Sequence, residues 1–237
     1  VGYAMLVPAM ELDPELCRKF FAELEFATYA GAVLPEDLWH RLQALARDIT
    51  GRRVLILTGW GATETAPSIT NLTWELDKPG VIGLPLPGAQ IKMVPAGSKM
   101  EMRVAGPMVF PGYLKRPDLT EAAFDEEGFY KIGDAGALAD PDDPAKGIRF
   151  DGRVVEDFKL TTGTWVHVGG VRVAAIAAAS PVIQDALVAG HDRDFISLLA
   201  WPNIAACRRL AGDELAPEAL NQHPAVVAAL RDGLKAH

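Results

Sequence analysis

The stretch Val54 to Thr65, VLILTGWGATET, constrains the fold more than any other part of this 237-residue chain. Four apolar residues, Val54 to Leu57, have the length and make-up of a buried strand. The chain then meets Gly59-Trp60-Gly61, where glycine admits backbone angles closed to other residues. Polar groups follow at once, with hydroxyls at Thr63 and Thr65 and a carboxylate at Glu64. Open α/β sheets place their ligands just past the carboxyl ends of strands. A flat indole at Trp60 can stack on a base, a hydroxyl can meet a phosphate oxygen, and a carboxylate can hold a phosphate-bridging magnesium ion. Taken alone, the same string reads equally well as a strand, a turn and a surface loop.

The flanks say which fold carries it. Val1 to Val7 is an apolar segment closed by Pro8, and Asp13-Pro14 is a helix cap followed by proline at the first helical position. Leu16, Phe20, Phe21 and Leu24 predict an amphipathic helix to about Phe26. Thr28 to Leu34 reads as a strand interrupted by Gly31. Pro35 to Ile49 reads as a helix with Leu38, Leu42, Leu45 and Ile49 on one face, ended by Gly51. Residues 1–65 thus alternate strand and helix, the pattern of an α/β sheet. From 66 to 151 glycine and proline punctuate short alternating runs such as Ala89 to Val94 and Glu101 to Val104, which predicts a β-rich subdomain, either a small barrel or a curled sheet. Asp118 to Phe124 is a helical turn, and Phe129 to Leu138 a strand-loop-strand carrying Gly133-Asp134. A boundary near Asp151 separates a small α+β unit, 152–237. In it, strands are expected at Val154–Leu160, Trp165–Val168, Ile183–Ala189 and Phe195–Trp201, and helices at Ala174–Ala179, Asn203–Leu210 and Pro224–Ala236.

The formal net charge of −8 argues against a protein held on nucleic acid mainly through phosphates. Two cysteines, Cys17 and Cys207, without metal-ligand spacing, fit a reduced cytoplasmic compartment. No apolar run is long enough to span a membrane. The histidines His40, His167, His191, His223 and His237 show no ligand spacing, and none is assigned a catalytic part.

Five segments occur in one order: GWGATET from Gly59, VIGLPLPG from Val81, GPMVFPGYLKRP from Gly106, GFYKIGDAG from Gly128 and GRVVEDFKLTTGTWV from Gly152. That series resembles the adenylate-forming superfamily of acyl-CoA synthetases, luciferases and peptide-synthetase adenylation domains, from about Thr28 onward. KLTTGTWV and DRDFISLLAWPN resemble feruloyl-CoA synthases in particular. The resemblance implies the end of a large AMP-binding domain followed by a small C-terminal domain. It also implies a two-step reaction in which a carboxylate attacks the α-phosphate of ATP and coenzyme A thiol then displaces AMP. The acid implied is ferulate or a related hydroxycinnamate.

By that resemblance Gly31 and Ala32 lie beside the adenine, and Trp60 and Gly61 precede the phosphate residues. Thr63 binds the α-phosphate, Glu64 the magnesium ion, and Asp134 the ribose hydroxyls. Arg153 is the hinge-side arginine that also reaches the ribose. Lys159, Gly163 and Trp165 approach the pantetheine channel when the small domain turns. An ionised carboxylate only accepts, so Asp134 suits a diol and Glu64 a hard cation, while Arg153 offers a planar set of donors. Quieter readings stand beside these: Trp60 as core, Asp134 as a turn residue, Arg153 paired with Glu156 on the surface, and Lys159 solvated.

The chain departs from the family pattern in lacking a Ser/Thr/Gly-rich loop ending in lysine and a late Gly-Lys motif, and Val155 stands where an aspartate or lysine is common. It begins without methionine, inside an apolar segment. The expectation is a piece of a longer ligase, inactive or nearly so alone, with self-association through bared apolar surface. The alternatives are an acyl-CoA synthetase of another acid class and a non-catalytic nucleotide-binding or interaction module.

Overall fold

The computed structural model describes residues 2–212 and 215–235. The chain forms two compact units, Val1–Val154 and Val155–His237, so the division falls slightly later than the boundary expected at 151.

In the first unit helices α1 (Gly2–Leu12) and α2 (Pro14–Phe21) precede strand β1 (Phe26–Tyr29), helix α3 (Glu36–Thr50) and strand β2 (Leu55–Trp60). The helix α1 continues through Pro8, where a break was expected; Val7 and Met10 are its buried residues. Asp13 caps α2, accepting from the N–H groups of Glu15 and Leu16 at 2.9 and 3.0 Å. Gly51 ends α3 with φ 73°, a left-handed angle that suits glycine. The strand expected at Thr28–Leu34 is instead Phe26–Tyr29, and the chain leaves the sheet before Gly31. Strand β2 runs on through Gly59 to Trp60, past its expected end at Leu57, because both residues pair with the next strand.

Strands β3 (Thr70–Leu72), β4 (Val81–Pro85), β5 (Gln90–Ala96) and β6 (Lys99–Ala105), helix α4 (Pro117–Ala123), and strands β7 (Tyr130–Leu138) and β8 (Ile148–Arg153) complete the unit. This β-rich part continues the hydrogen bonding of the α/β part. One eight-stranded sheet has the order β1-β2-β3-β4-β8-β7-β6-β5. Only β1 and β2 are parallel; the other pairs are antiparallel. Phe129–Leu138, read as two strands, is one strand with a bulge.

Two cores serve this sheet. The helices bury Val7, Phe21, Trp39, Leu42 and Ile56 against the parallel pair. Farther along the sheet, Trp60, Ile69, Met102, Val104, Ile132 and Ile148 form a second cluster. Gln43, 4 % exposed, ties α3 to the entry of β2 by donating from Nε2 to Val54 O at 2.8 Å and accepting from Val54 N at 3.1 Å.

The second unit comprises strands β9 (Phe158–Lys159) and β10 (Trp165–Val166), helix α5 (Val168–Ala178), strands β11 (Ile183–Ala189) and β12 (Ser197–Pro202), and helices α6 (Ile204–Ala211), α7 (Pro217–Leu220) and α8 (Pro224–Lys235). The first two strands are shorter than expected, since Val154–Glu156 is a 3-10 turn, and α7 was not foreseen. Ala236, the expected end of α8, and His237 lie outside the described residues. Among the described residues no helix is long and apolar enough to cross a membrane.

Gln43→Leu keeps the volume but strands the buried Val54 N–H and C=O. Urea denaturation is expected to show a loss of about 2 to 4 kcal/mol, since each unsatisfied buried group costs about 1 to 3. A loss under about 0.5 kcal/mol would contradict that tie.

Candidate functional site: a buried carboxylate beside the glycine turn

The parallel pairing aligns Tyr29 with Thr58, and Thr58 Oγ1 donates to Tyr29 O at 2.9 Å. The carboxyl ends of β1 and β2 therefore open at one edge of the sheet, the place where α/β sheets hold ligands. From β1 emerges the exposed loop with Gly31, at φ 78°, and Ala32. From β2 emerges Gly61, where glycine is demanded by space. A Cβ there would lie 2.0 Å from Pro67 O and 2.7 Å from Thr65 Oγ1.

A 3-10 turn, Thr63–Thr65, follows. Thr65 is fully buried, and its hydroxyl accepts from Ala62 N at 2.8 Å and donates to Ala62 O at 2.9 Å. The second hydroxyl read as a ligand group is thus spent on holding the turn. Thr63 is exposed and Glu64 partly so.

Trp60 needs a larger correction. It is 8 % exposed, part of the second core, and its indole N–H donates to Asp134 Oδ2 at 2.8 Å. So buried a ring has little face left for a base, and its N–H is engaged on Asp134.

Asp134 is no turn residue. On β7 the register against β6 shifts near Gly133, whose φ of 80° marks the bulge, and Asp134 points inward at 7 % exposure. Arg153 stands opposite it on β8, with Nη1 3.2 Å from Oδ1, so its ion pair is with Asp134 and not with Glu156. A Cβ at Gly133 would sit 3.3 Å from Arg153 Nη2, so the glycine also leaves room for the guanidinium. No donor is aligned on Oδ1 as a hydrogen bond, although that oxygen is buried. Burial raises the Asp134 carboxyl above its ordinary value, while the Trp60 hydrogen bond and Arg153 pull it down.

Glu64 joins this group from the other side. Tyr113 Oη donates to Glu64 Oε1 at 2.9 Å, and Phe110 N donates to Glu64 O at 2.8 Å. Tyr130, four residues before Asp134 in sequence, packs edge-on against Phe110 with ring centroids 5.4 Å apart, and burial raises its phenol well above the ordinary value. Among the described residues no three His, Cys, Asp or Glu side chains cluster as a ready metal site, so a cation at Glu64 has to complete its shell with phosphate and water oxygens. A cavity of about 340 Å³ lined by Phe21, Ala46, Arg53 and Leu55 lies at the opposite end of β2 and takes no part.

In the second unit Lys159 and Trp165 are cross-strand partners, with Nζ 4.9 Å from the ring centroid. Gly163 sits between them in a turn at φ 85°. His167 Nδ1 is 2.8 Å from Asp157 Oδ2, and Asp157 also accepts from Val168 N at 3.0 Å. The sequence patterns single out neither Tyr113 nor Tyr130, although both lie inside the motifs; Tyr130 beside Phe129 offered a signal, and Tyr113 between Gly112 and Leu114 offered none.

Residues 3–114 match the family described as AMP-binding enzyme. A long-chain-fatty-acid–[acyl-carrier-protein] ligase of Arabidopsis thaliana is 30% identical over 171 residues, covering 66% of this chain and 23% of that protein. This part of the chain is similar to AMP-binding enzymes. A probable CoA ligase of Humulus lupulus is 28% identical over 239 residues, 92% of this chain and 36% of its own length. The chain thus spans about a quarter to a third of these AMP-binding relatives. A malonyl-CoA ligase solved with methylmalonyl-CoA and AMP aligns at a TM-score of 0.53 with 30% identity, over 97% of this chain and 48% of that one. The adenylation domain of a Mycobacterium chelonae carboxylate reductase shares the adenylate-forming fold at a TM-score of 0.65 and 23% identity, over 99% and 37%.

The raised Asp134 carboxyl sets a sign for stability. The folded chain binds that proton more tightly than the unfolded one, so the cost of ionising it is absent below the ordinary carboxylate value, grows as pH rises through the folded value and is fully present at neutrality. Asp134→Asn is expected to raise the urea midpoint at pH 7, with the advantage narrowing as pH falls toward about 4. A destabilised Asn variant at pH 7 would contradict the burial argument.

Proposed function

We propose that the first unit holds the AMP portion of ATP, and that the protein to which this sequence belongs is an AMP-forming carboxylic acid–CoA ligase. The observation that carries the reading is the Asp134 carboxylate. One oxygen is fixed by an indole N–H, the other lies in an ion pair 3.2 Å from Arg153 Nη1 without an aligned hydrogen bond, and the residue stands near the glycine turn after β2. A carboxylate oxygen so incompletely engaged keeps acceptor capacity that suits a ribose hydroxyl. Arg153, half-exposed beside it, adds donors at the outer side.

Thr63, exposed after the Gly61 turn, is assigned to the α-phosphate, and Gly31 and Ala32 to the adenine edge. Glu64 is assigned to magnesium, which when bound neutralises charge between phosphates. The carboxylate substrate displaces pyrophosphate at the α-phosphorus to give an acyl-adenylate; a thiol then attacks the acyl carbon and AMP leaves. Such chemistry is mostly positioning and charge stabilisation. Lys159, Gly163 and Trp165, which share one hairpin, are assigned to coenzyme A.

KLTTGTWV supports a hydroxycinnamate such as ferulate as the acid. The names of the relatives support a carboxylic acid without separating its class, since they include ligases of fatty acids and of malonate. An apolar slot discriminates poorly against one added ring substituent, so ferulate, caffeate and coumarate are expected to behave alike.

Isothermal titration of the full chain is expected to show AMP binding, weakened about tenfold or more by Asp134→Ala, as the loss of hydrogen bonds to a charged group implies. No binding by the unsubstituted chain would overturn the site and favour an interaction module. Pyrophosphate release by this polypeptide alone, with ATP and a panel of hydroxycinnamates, fatty acids and malonate, is expected to be negligible; turnover on the order of 1 per second would contradict that.

A further inference from the structure

Glu64 is gripped by a segment 49 residues away that the ligand assignments above leave unused. The Phe110 N–H holds its backbone carbonyl, and Tyr113 Oη holds Oε1 at 2.9 Å. The phenol is itself braced. Its ring meets Phe110 edge-on with centroids 4.7 Å apart, its backbone N–H donates to Thr120 Oγ1 at 2.9 Å, and Thr120 Oγ1 donates to Arg116 O at 3.0 Å. Behind it Tyr130 also packs edge-on against Phe110, with centroids 5.4 Å apart.

We propose that Tyr113 is the positioning residue for Glu64, fixing Oε1 so that Oε2 is presented to the divalent cation that bridges the nucleotide phosphates. This rests on the nucleotide-site reading above. Magnesium demands near-octahedral geometry and short oxygen distances, so a glutamate free to sample its rotamers is a poor ligand and a clamped one a good ligand. The donor type matters as well. A phenol orients the carboxylate and leaves its full negative charge for the cation, whereas a lysine or arginine in the same place would neutralise it. The remaining acceptor capacity of Glu64 is sufficient, because an ionised carboxylate has about four lone-pair sites and Tyr113 occupies one.

The test is a calorimetric comparison of ATP binding by the full chain with and without magnesium, with AMP as the metal-independent control. The unsubstituted chain is expected to bind ATP more tightly when magnesium is present. Tyr113→Phe keeps the ring and its packing, and is expected to cut that metal-dependent gain by about tenfold, the usual cost of losing an outer-shell partner. AMP affinity and the urea midpoint should stay unchanged, which a general loosening of the site would not allow. Glu64→Gln should abolish the gain. A Phe variant with the full gain, while Gln loses it, would show that Glu64 ligates without Tyr113 and overturn the proposal. A Gln variant with the full gain would remove Glu64 from the metal and overturn it too. Failure of the unsubstituted chain to bind AMP or ATP would instead sink the nucleotide site itself.

Discussion

The hydrogen bond from Trp60 to Asp134 is the contact on which the geometry of this protein turns. In the sheet, β2 and β7 are separated by β3, β4 and β8. Strands stack about 4.8 Å apart, so in a flat sheet the two residues would stand roughly 19 Å from one another. Their side-chain tips, Nε1 and Oδ2, are 2.8 Å apart, a difference larger than an indole and a carboxylate can span. The sheet must therefore curl until its parallel end and its antiparallel end face each other across the core of Trp60, Ile69, Met102, Val104 and Ile148. Burial of that apolar cluster drives the curl, and the indole N–H fixes where it stops.

The same contact explains why a carboxylate can sit almost wholly buried. An isolated ionised group in such a place is costly. Here the indole satisfies one oxygen and the Arg153 guanidinium offsets the charge, yet burial still wins and the carboxyl remains harder to ionise than usual. Residual cost of this kind is typical of groups kept for binding rather than for stability. An oxygen held only by an ion pair at 3.2 Å keeps acceptor capacity for an arriving hydroxyl. Glu64 shows the complementary arrangement, with one oxygen braced by a phenol in a partly exposed turn.

Much of this was legible in the sequence. The amphipathic pattern of Pro35 to Ile49 gave a helix within one residue at each end, because a wide apolar stripe and a left-handed glycine both point to the same element. The family motifs brought Trp60, Asp134 and Arg153 forward together, and they do meet. Local pattern failed where tertiary contact overrides it. Pro8 reads as a stop, but α1 is packed along its length. Trp60 reads as a stacking ring, since nothing local reveals that its N–H is claimed by a residue 74 positions on. The α/β part and the β-rich part each have their own core, as the change of composition at Thr65 suggests, but composition does not reveal that the β2–β3 and β3–β4 pairs join them into one hydrogen-bonded sheet. Tyr113 was hidden because a tyrosine in a Gly/Pro-rich loop carries no periodicity.

The central claim is that a carboxylate aimed by an indole, its second oxygen held only by the Arg153 ion pair, is there to take a ribose hydroxyl. A crystal structure of the chain grown with AMP tests it most directly. The account requires a ribose hydroxyl within hydrogen-bond distance of Asp134 Oδ1 while the Trp60 N–H stays on Oδ2. AMP seated away from Asp134, or a Trp60 ring released to stack on the adenine, would contradict it.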